Sequence, residues 1–275
     1  VIAVPTSDAW ALSGGPTAGS MPISALQSQQ PSDVARWTDL SQIYLVADAG
    51  AAATVNLIEL LYTNATSAAT LRVRGATSVA NLTNGSAGYD STATTLMPDA
   101  NDAWWDRVHG YVWLGASPQT FRYWRADVAD AANPAGYFQA GRFYGCNAYQ
   151  ASRGAKLGGS VMVVEPVPTS SSSSAHQQTG GGQKYPAVRV KTGGMTFGME
   201  YLPKSESFRS LYKIVRQRGG TKDVHCILDP DDRAFYMEQQ IYGTLKTGVK
   251  FTWTTLSAVT GLPLISQEFE AEECP

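Results

Sequence analysis

The sequence predicts a mainly β protein with one packed helix, and three observations carry that expectation. Short apolar runs recur between turn residues from Trp10 to about Tyr149. Apolar and basic side chains alternate with a period of two inside several of these runs. Charged residues make up only 16% of the 275 residues, while Gly, Ala, Ser and Thr are abundant, a balance that suits strands joined by turns better than long solvated helices.

The runs follow one another closely. Ile43-Tyr44-Leu45-Val46 ends in Ala47-Asp48-Ala49-Gly50, and Val55 to Tyr62 ends in Thr63-Asn64-Ala65-Thr66. Thr70 to Gly75 follows, then the turn Asn84-Gly85, then Phe121 to Val128 and Gly136 to Tyr144. Strands at such spacing point to a sandwich or barrel. Leu71 and Val73 against Arg72 and Arg74, and Phe121 and Tyr123 against Arg122, Trp124 and Arg125, place one set of side chains toward a core and the other toward solvent. Asn133-Pro134-Ala135-Gly136 reads as a turn, because Pro fixes φ and Gly tolerates positive φ.

From Ala151 to Pro186 the composition changes to Gly, Ser and Pro, with Pro166, Pro168, Thr169 to Ser174 and Thr179 to Gly182. Such a tract buries too little apolar surface to offset its ordering entropy and reads as a linker between residues 1–150 and 187–275. Beyond it, Val188 to Tyr201 reads as a strand pair. Ser205 to Arg218 reads as a helix, with Phe208, Leu211, Tyr212 and Val215 on one stripe, Ser205 as N-cap and Gly219-Gly220 as its end. Arg209, Lys213, Arg216 and Arg218 fall on the outer face, suited to solvent or to an acidic neighbouring subunit. Strands at Val224 to Leu228, Ala234 to Tyr236, Gln239 to Gly243 and Val249 to Trp253 complete a β-rich second part, with Asp229-Pro230-Asp231-Asp232 as a turn.

A formal charge of −2 gives little basic field for nucleic acid, so no nucleic-acid partner is expected. Cys146, Cys226 and Cys274 are widely spaced and odd in number, which suits free thiols rather than a disulfide framework or a zinc site. No apolar run approaches the roughly 18 to 20 residues of a membrane span, and the first ten residues lack the pattern of a signal peptide, so a soluble protein made in the cytoplasm is expected. His109, His176 and His225 are scattered, and no metalloprotease, nucleophile-elbow or phosphate-loop motif occurs. A non-enzyme without a cofactor follows as the expectation.

The candidate binding residues are Trp104 and Trp105 with Asp102 and Asp106. Planar rings beside the acidic cluster Asp99, Asn101, Asp102 and Asp106 suit a sugar platform or a metal-binding loop, and an exposed apolar pair equally suits a subunit contact. Trp113 and Tyr123, in the same aromatic stretch, read as core. Asp229, Asp231 and Asp232 lack the glycine and distal glutamate of a calcium-binding hand and read as a solvated turn.

The stretch Phe121 to Val128 followed by Asn133 to Arg142 resembles a phrase found in tail proteins of long-tailed bacteriophages that carry a discoidin-like, galactose-binding-type β-sandwich. Asn56 to Leu60, Asn64 to Thr66 and Leu71 to Arg74 look like that family's central strands. The C-terminal half is similar in outline, through Arg218-Gly219-Gly220, Leu228-Asp229-Pro230 and Ile241-Tyr242-Gly243.

The resemblance implies a galactose-binding-like sandwich over residues 1–150, a linker over 151–186 and a tail-ring assembly domain over 187–275. In function it implies a structural component of the virion tail tip or baseplate, assembled in the host cytoplasm. The expected partners are further copies in a homo-oligomeric ring, six in preference to three, the tail tube and tail hub, and a cell-surface glycan. No sugar-binding residue set carries over, and the linker is richer in Ser than the family pattern. The alternative from a different class is a freestanding carbohydrate-binding module or adhesin.

Overall fold

The structure, a computed structural model, describes residues 1–98, 107–115, 117–152, 160–164, 176–178, 184–186, 192–245, 251–256 and 263–273. Alternating strands of the N-terminal half form a sandwich of two antiparallel sheets. One has five strands in the order β2 (Ala11–Gly14), β4 (Tyr44–Val55), β9 (Gln119–Ala129), β6 (Thr70–Ala76) and β7 (Tyr89–Thr95). The other has three, β11 (Arg142–Cys146), β5 (Leu57–Thr63) and β8 (Val108–Trp113). A ribbon of β3 (Ala35–Trp37) and β10 (Phe138–Ala140) packs Trp37 on Phe138 beside them.

Strand β6 shows why the pattern folds this way: Leu71 and Val73 are buried, while Arg72 pairs with Asp90 and Arg74 with Asp127 on the outer face. In β9 the parity is opposite to the expected one. Trp124, Ala126 and Val128 point inward, and Tyr123, Arg125 and Asp127 point outward. Counting from Phe121 misplaces the register because both parities start with an aromatic residue, and the longer run of Trp124, Ala126 and Val128 decides it. Tyr123 is accordingly half-buried and not core.

The C-terminal sheet has seven strands. Its order is β1 (Ile2–Ala3), β16 (Asp223–Ile227), β17 (Gln240–Leu245), β19 (Pro263–Glu273), β15 (Thr192–Pro203) and β12 (Ser160–Val164), with β18 (Phe251–Leu256) paired to the start of β19. The first residues of the chain thus belong to this sheet. Within the segment that the sequence reads as a linker, Ser160–Val164 pairs with β15, and β13 (His176–Gln178) pairs with β14 (Lys184–Pro186). From Thr192 the expected strand pair is the single strand β15, bulged between Met199 and Leu202 with Tyr201 at φ 59°. Residues 234–236, expected as a strand, form turns in which Phe235 has φ 52° and Asp232 accepts a bond from the Ala234 N–H.

One helical segment packs on this sheet: α1 (Lys204–Glu206), a π turn over Ser207–Leu211 and α2 (Tyr212–Arg218). Ser205 lies inside α1 and is not its cap; Pro203 holds that position without a side-chain bond. The extra residue of the π turn rotates the apolar stripe. Leu211 is buried in the second core with Met195, Met199 and Phe269, whereas Phe208 and Tyr212 are 36% and 39% exposed and rest against Phe251. Gly219, at φ 53°, ends the helix, and its N–H bonds the Val215 carbonyl. The expected fold class holds: mainly β, with an N-terminal sandwich and a C-terminal β-rich part carrying one packed helix.

The three-stranded sheet is covered on both faces, so β5 and β11 are buried almost throughout. Ile58, Leu60 and Phe143 join Leu71, Val73 and Trp124 in the sandwich core. The opposite row meets the C-terminal sheet through polar groups. Arg142 Nε donates to Asp223 at 2.9 Å, the hydroxyls of Tyr144 and Tyr242 donate to the same carboxylate at 2.8 and 2.9 Å, and His225 Nδ1 lies 2.8 Å from Glu59.

Candidate functional site

An open cleft of about 490 Å³ lies where the edge strands β7 and β8 meet the turn at Pro230–Arg233. Its walls include Tyr89, Thr94, Thr95 and Trp113 from the sandwich, and Asp231 and Arg233 from the C-terminal half. Each wall has a local cause. In β7, a register shift opposite Arg72 and Arg74 coincides with Thr92 at φ 59°, and Asp90 Oδ1 accepts the Thr92 N–H. A bulge of this kind bends an edge strand and re-aims its side chains. In β8, His109, Tyr111 and Trp113 share one face: the first two are buried, and Trp113, at the strand end, is half-buried and lines the cleft.

The third wall is docked firmly. The Tyr236 hydroxyl accepts the Tyr111 N–H at 3.0 Å, and the rings of Tyr111 and Tyr236 stack with centroids 4.7 Å apart. The Arg233 guanidinium sits 4.6 Å over the Tyr236 ring and 5.7 Å from that of Tyr111, and its Nη2 donates to the Thr95 carbonyl at 2.7 Å. Burial pushes the Tyr111 phenol above its usual range despite the opposing pull of Arg233, so its hydroxyl stays protonated. Tyr89 is likewise raised, by burial and then by Asp90. The phenols around the cleft are therefore neutral hydrogen-bonding groups.

Trp104, Trp105, Asp102 and Asp106 lie outside the described residues, as do Asp99 and Asn101. They belong to the connection between Pro98, which lines the cleft, and Val108, the first residue of β8. The turn that the sequence reads as solvated is so: Asp229 and Asp232 accept backbone N–H groups of residues two positions on, and Asp229, Asp231 and Asp232 are exposed. Trp113, expected in the core, packs half-buried against it and also lines the cleft, while Arg233 and Tyr89 are not singled out by the sequence. The signal for Trp113 was its position at the end of an alternating run. None exists for Arg233, which reaches the site by long-range packing.

The polar cluster between the three-stranded sheet and the C-terminal sheet is sealed. Arg142, Asp223, Glu59 and His225 are all within 1% of complete burial, which suits a joint between sheets. A smaller cavity of about 200 Å³ is lined by Phe197, Met199 and Cys226, whose thiol burial pushes up to about 12, away from nucleophilic chemistry. Among the described residues, no group of three His, Cys, Asp or Glu is placed to hold a metal, and no helix is long and apolar enough to cross a membrane.

No family model matches the sequence, and no curated protein matches it. Among solved structures, the chain is similar to the CBM32 of AlyQ in complex with 4,5-unsaturated mannuronic acid, with a TM-score of 0.38 and 15% identity over 54% of this chain and 99% of that one. It is similar to the family 32 CBM from C. perfringens NanJ in complex with galactose, with a TM-score of 0.37 and 14% identity over 53% of this chain and 98% of that one. It is also similar to a chitosan-binding module derived from a chitosanase/glucanase of Paenibacillus sp. IK-5, with a TM-score of 0.38 and 14% identity over 52% and 99%. About half of this chain thus spans nearly the whole length of each of these modules.

Proposed function

We propose that the chain is a carbohydrate-binding protein and that the cleft between β7, β8 and the Pro230–Arg233 turn is its ligand site. The observation that carries this reading is the composition of that cleft: a half-buried indole, Trp113, beside threonine hydroxyls, a carboxylate and a guanidinium, in a hollow large enough for sugar rings. An aromatic face covers the apolar side of a sugar ring while nearby polar groups take its hydroxyls, the pattern of an orienting binding site. A binding energy of about 4 to 5 kcal/mol for one ring corresponds to a Kd on the order of 0.1 to 1 mM.

The test is a glycan array probed with the full chain and with Trp113→Ala, with circular dichroism as the check on folding. The reading expects at least one glycan bound by the parent and lost in the folded variant. Equal binding by both would overturn it.

Assembly into a ring at a phage tail tip is the second reading. Its support is the sequence phrase from Phe121 to Arg142, together with the exposed Phe208 and Tyr212 on the helix, a surface suited to a subunit contact. Imaging of virions tagged within Ser170–Ser174 tests it: label at the distal tail supports the reading, and unlabelled virions with normal expression remove it.

A further inference from the structure

The half of the cleft contributed by the C-terminal part has a chemistry of its own. Arg233 carries five N–H donors, and among the described residues one of them is used, on the Thr95 carbonyl. It makes no ion pair with any described carboxylate, while its position over the Tyr236 ring and its bond to Thr95 hold the guanidinium at the cleft wall. Two residues upstream, Asp231 lines the same cleft with an exposed carboxylate, and its own backbone N–H is taken up by Asp229. The wall therefore offers a fixed fork of donors and an adjacent acceptor.

Charge narrows the ligand further. The turn sets the carboxylates of Asp229, Asp231 and Asp232 against the single guanidinium of Arg233. Its field is net negative at neutral pH, which disfavours an anionic ligand in the space between them. Resting on the carbohydrate reading above, we infer that the cleft selects a neutral sugar ring with two adjacent free hydroxyls, one accepting from Arg233 and the other donating to Asp231. A hydroxyl pair satisfies both groups at once, because each hydroxyl both donates and accepts. A carboxylate satisfies Arg233 and repels Asp231. Arg233 and Asp231 are the specificity-determining residues, and Trp113 supplies the platform common to all ligands. Selectivity therefore resides in the C-terminal half although the platform belongs to the sandwich.

The experiment is titration calorimetry of the full chain with methyl glycosides of galactose, glucose and mannose and with the methyl glycosides of the corresponding uronic acids. The parent is expected to bind at least one neutral glycoside, and the matching uronate at least tenfold more weakly. Arg233→Met and Arg233→Lys are each expected to weaken the neutral ligand tenfold or more, the second while keeping the charge and much of the stacking stem. Asp231→Asn should raise the relative affinity for the uronate at least threefold. If Trp113→Ala abolishes binding but Arg233→Lys and Asp231→Asn leave both the affinity and the neutral-to-uronate ratio unchanged, the selectivity inference falls and the carbohydrate site stands. Tighter binding of uronates by the parent also overturns the inference. If no glycoside binds, or Trp113→Ala changes nothing, the carbohydrate reading and the inference fall together.

Discussion

Removing the Asp223 carboxylate tests whether the two halves are held together as the buried contacts indicate. Arg142 is fully buried on β11 and meets Asp223 of β16 through Nε at 2.9 Å and Nη2 at 2.8 Å, while Nη2 also lies 2.8 Å from Asp8. In Asp223→Ala the guanidinium keeps only the partly exposed Asp8 and the Leu26 carbonyl at 3.3 Å. Breaking a buried pair by deleting one partner costs about 3 to 5 kcal/mol, and the surviving Asp8 contact favours the lower end. The Tyr144 hydroxyl also loses its acceptor, a further ~1 kcal/mol, whereas Tyr242 can fall back on the Gln29 carbonyl at 3.1 Å. The expected loss is about 4 kcal/mol, or roughly 10 °C in Tm for a chain of this size. Urea unfolding followed by tryptophan fluorescence measures it. The double variant Arg142→Met/Asp223→Leu should recover part of the loss, because no fully buried charge is then stranded, although Asp8 and Arg218 each lose a partner. A single variant within 1 kcal/mol of the parent, or a double variant as unstable as the single, would refute the reasoning.

Three other outcomes are expected. His109, buried with its Nδ1 accepting the Tyr62 N–H, has its pKa pushed down to about 3 by burial and by the neighbouring His225. The unfolded chain binds that proton near pH 6.5, so His109 contributes fully above that pH, and its share is lost as pH falls toward 3. The loss reaches about 2 kcal/mol at pH 5; urea midpoints from pH 7 to pH 5 should fall less steeply in His109→Gln, and parallel slopes would count against the assignment. Gly219→Ala, at φ 53° and ψ −149°, should destabilise by about 1 to 3 kcal/mol in a thermal melt, and an unchanged Tm would mean that the helix end adopts another conformation. Trp124→Ala empties a site that is 1% exposed at the centre of the sandwich and should lower stability by about 3 to 5 kcal/mol; a small effect would return Trp124 to the outer face that its sequence position first suggests.

The strand-rich class, the alternation in β6 and the turn at Asn133–Gly136 were legible because each depends on neighbours within a few residues. The parity of β9 was not, since Phe121 and Tyr123 compete with Trp124, Ala126 and Val128 for the core, and only packing against the second sheet decides between them. The helix was legible but its π turn was not, so the stripe containing Phe208 and Tyr212 faces partly outward. Strand β1 has two residues and takes its identity from β16, more than two hundred positions away. The cleft has the same origin. Trp113 and Arg233 are far apart in sequence and meet through Tyr111 and Tyr236, so composition and spacing could not bring them together. The tryptophan pair chosen from sequence, Trp104 and Trp105, lies outside the described residues.

The proposed function rests on contact between Trp113 and a sugar. Its most direct test is the indole N–H spectrum of the chain labelled at its tryptophans, with the Trp113 signal assigned by Trp113→Phe, during titration with a glycan that the array selects. If Trp113 contacts the sugar, its signal moves and saturates with the ligand while that of the buried Trp124 stays in place. Saturable glycan binding with the Trp113 signal unmoved would contradict it.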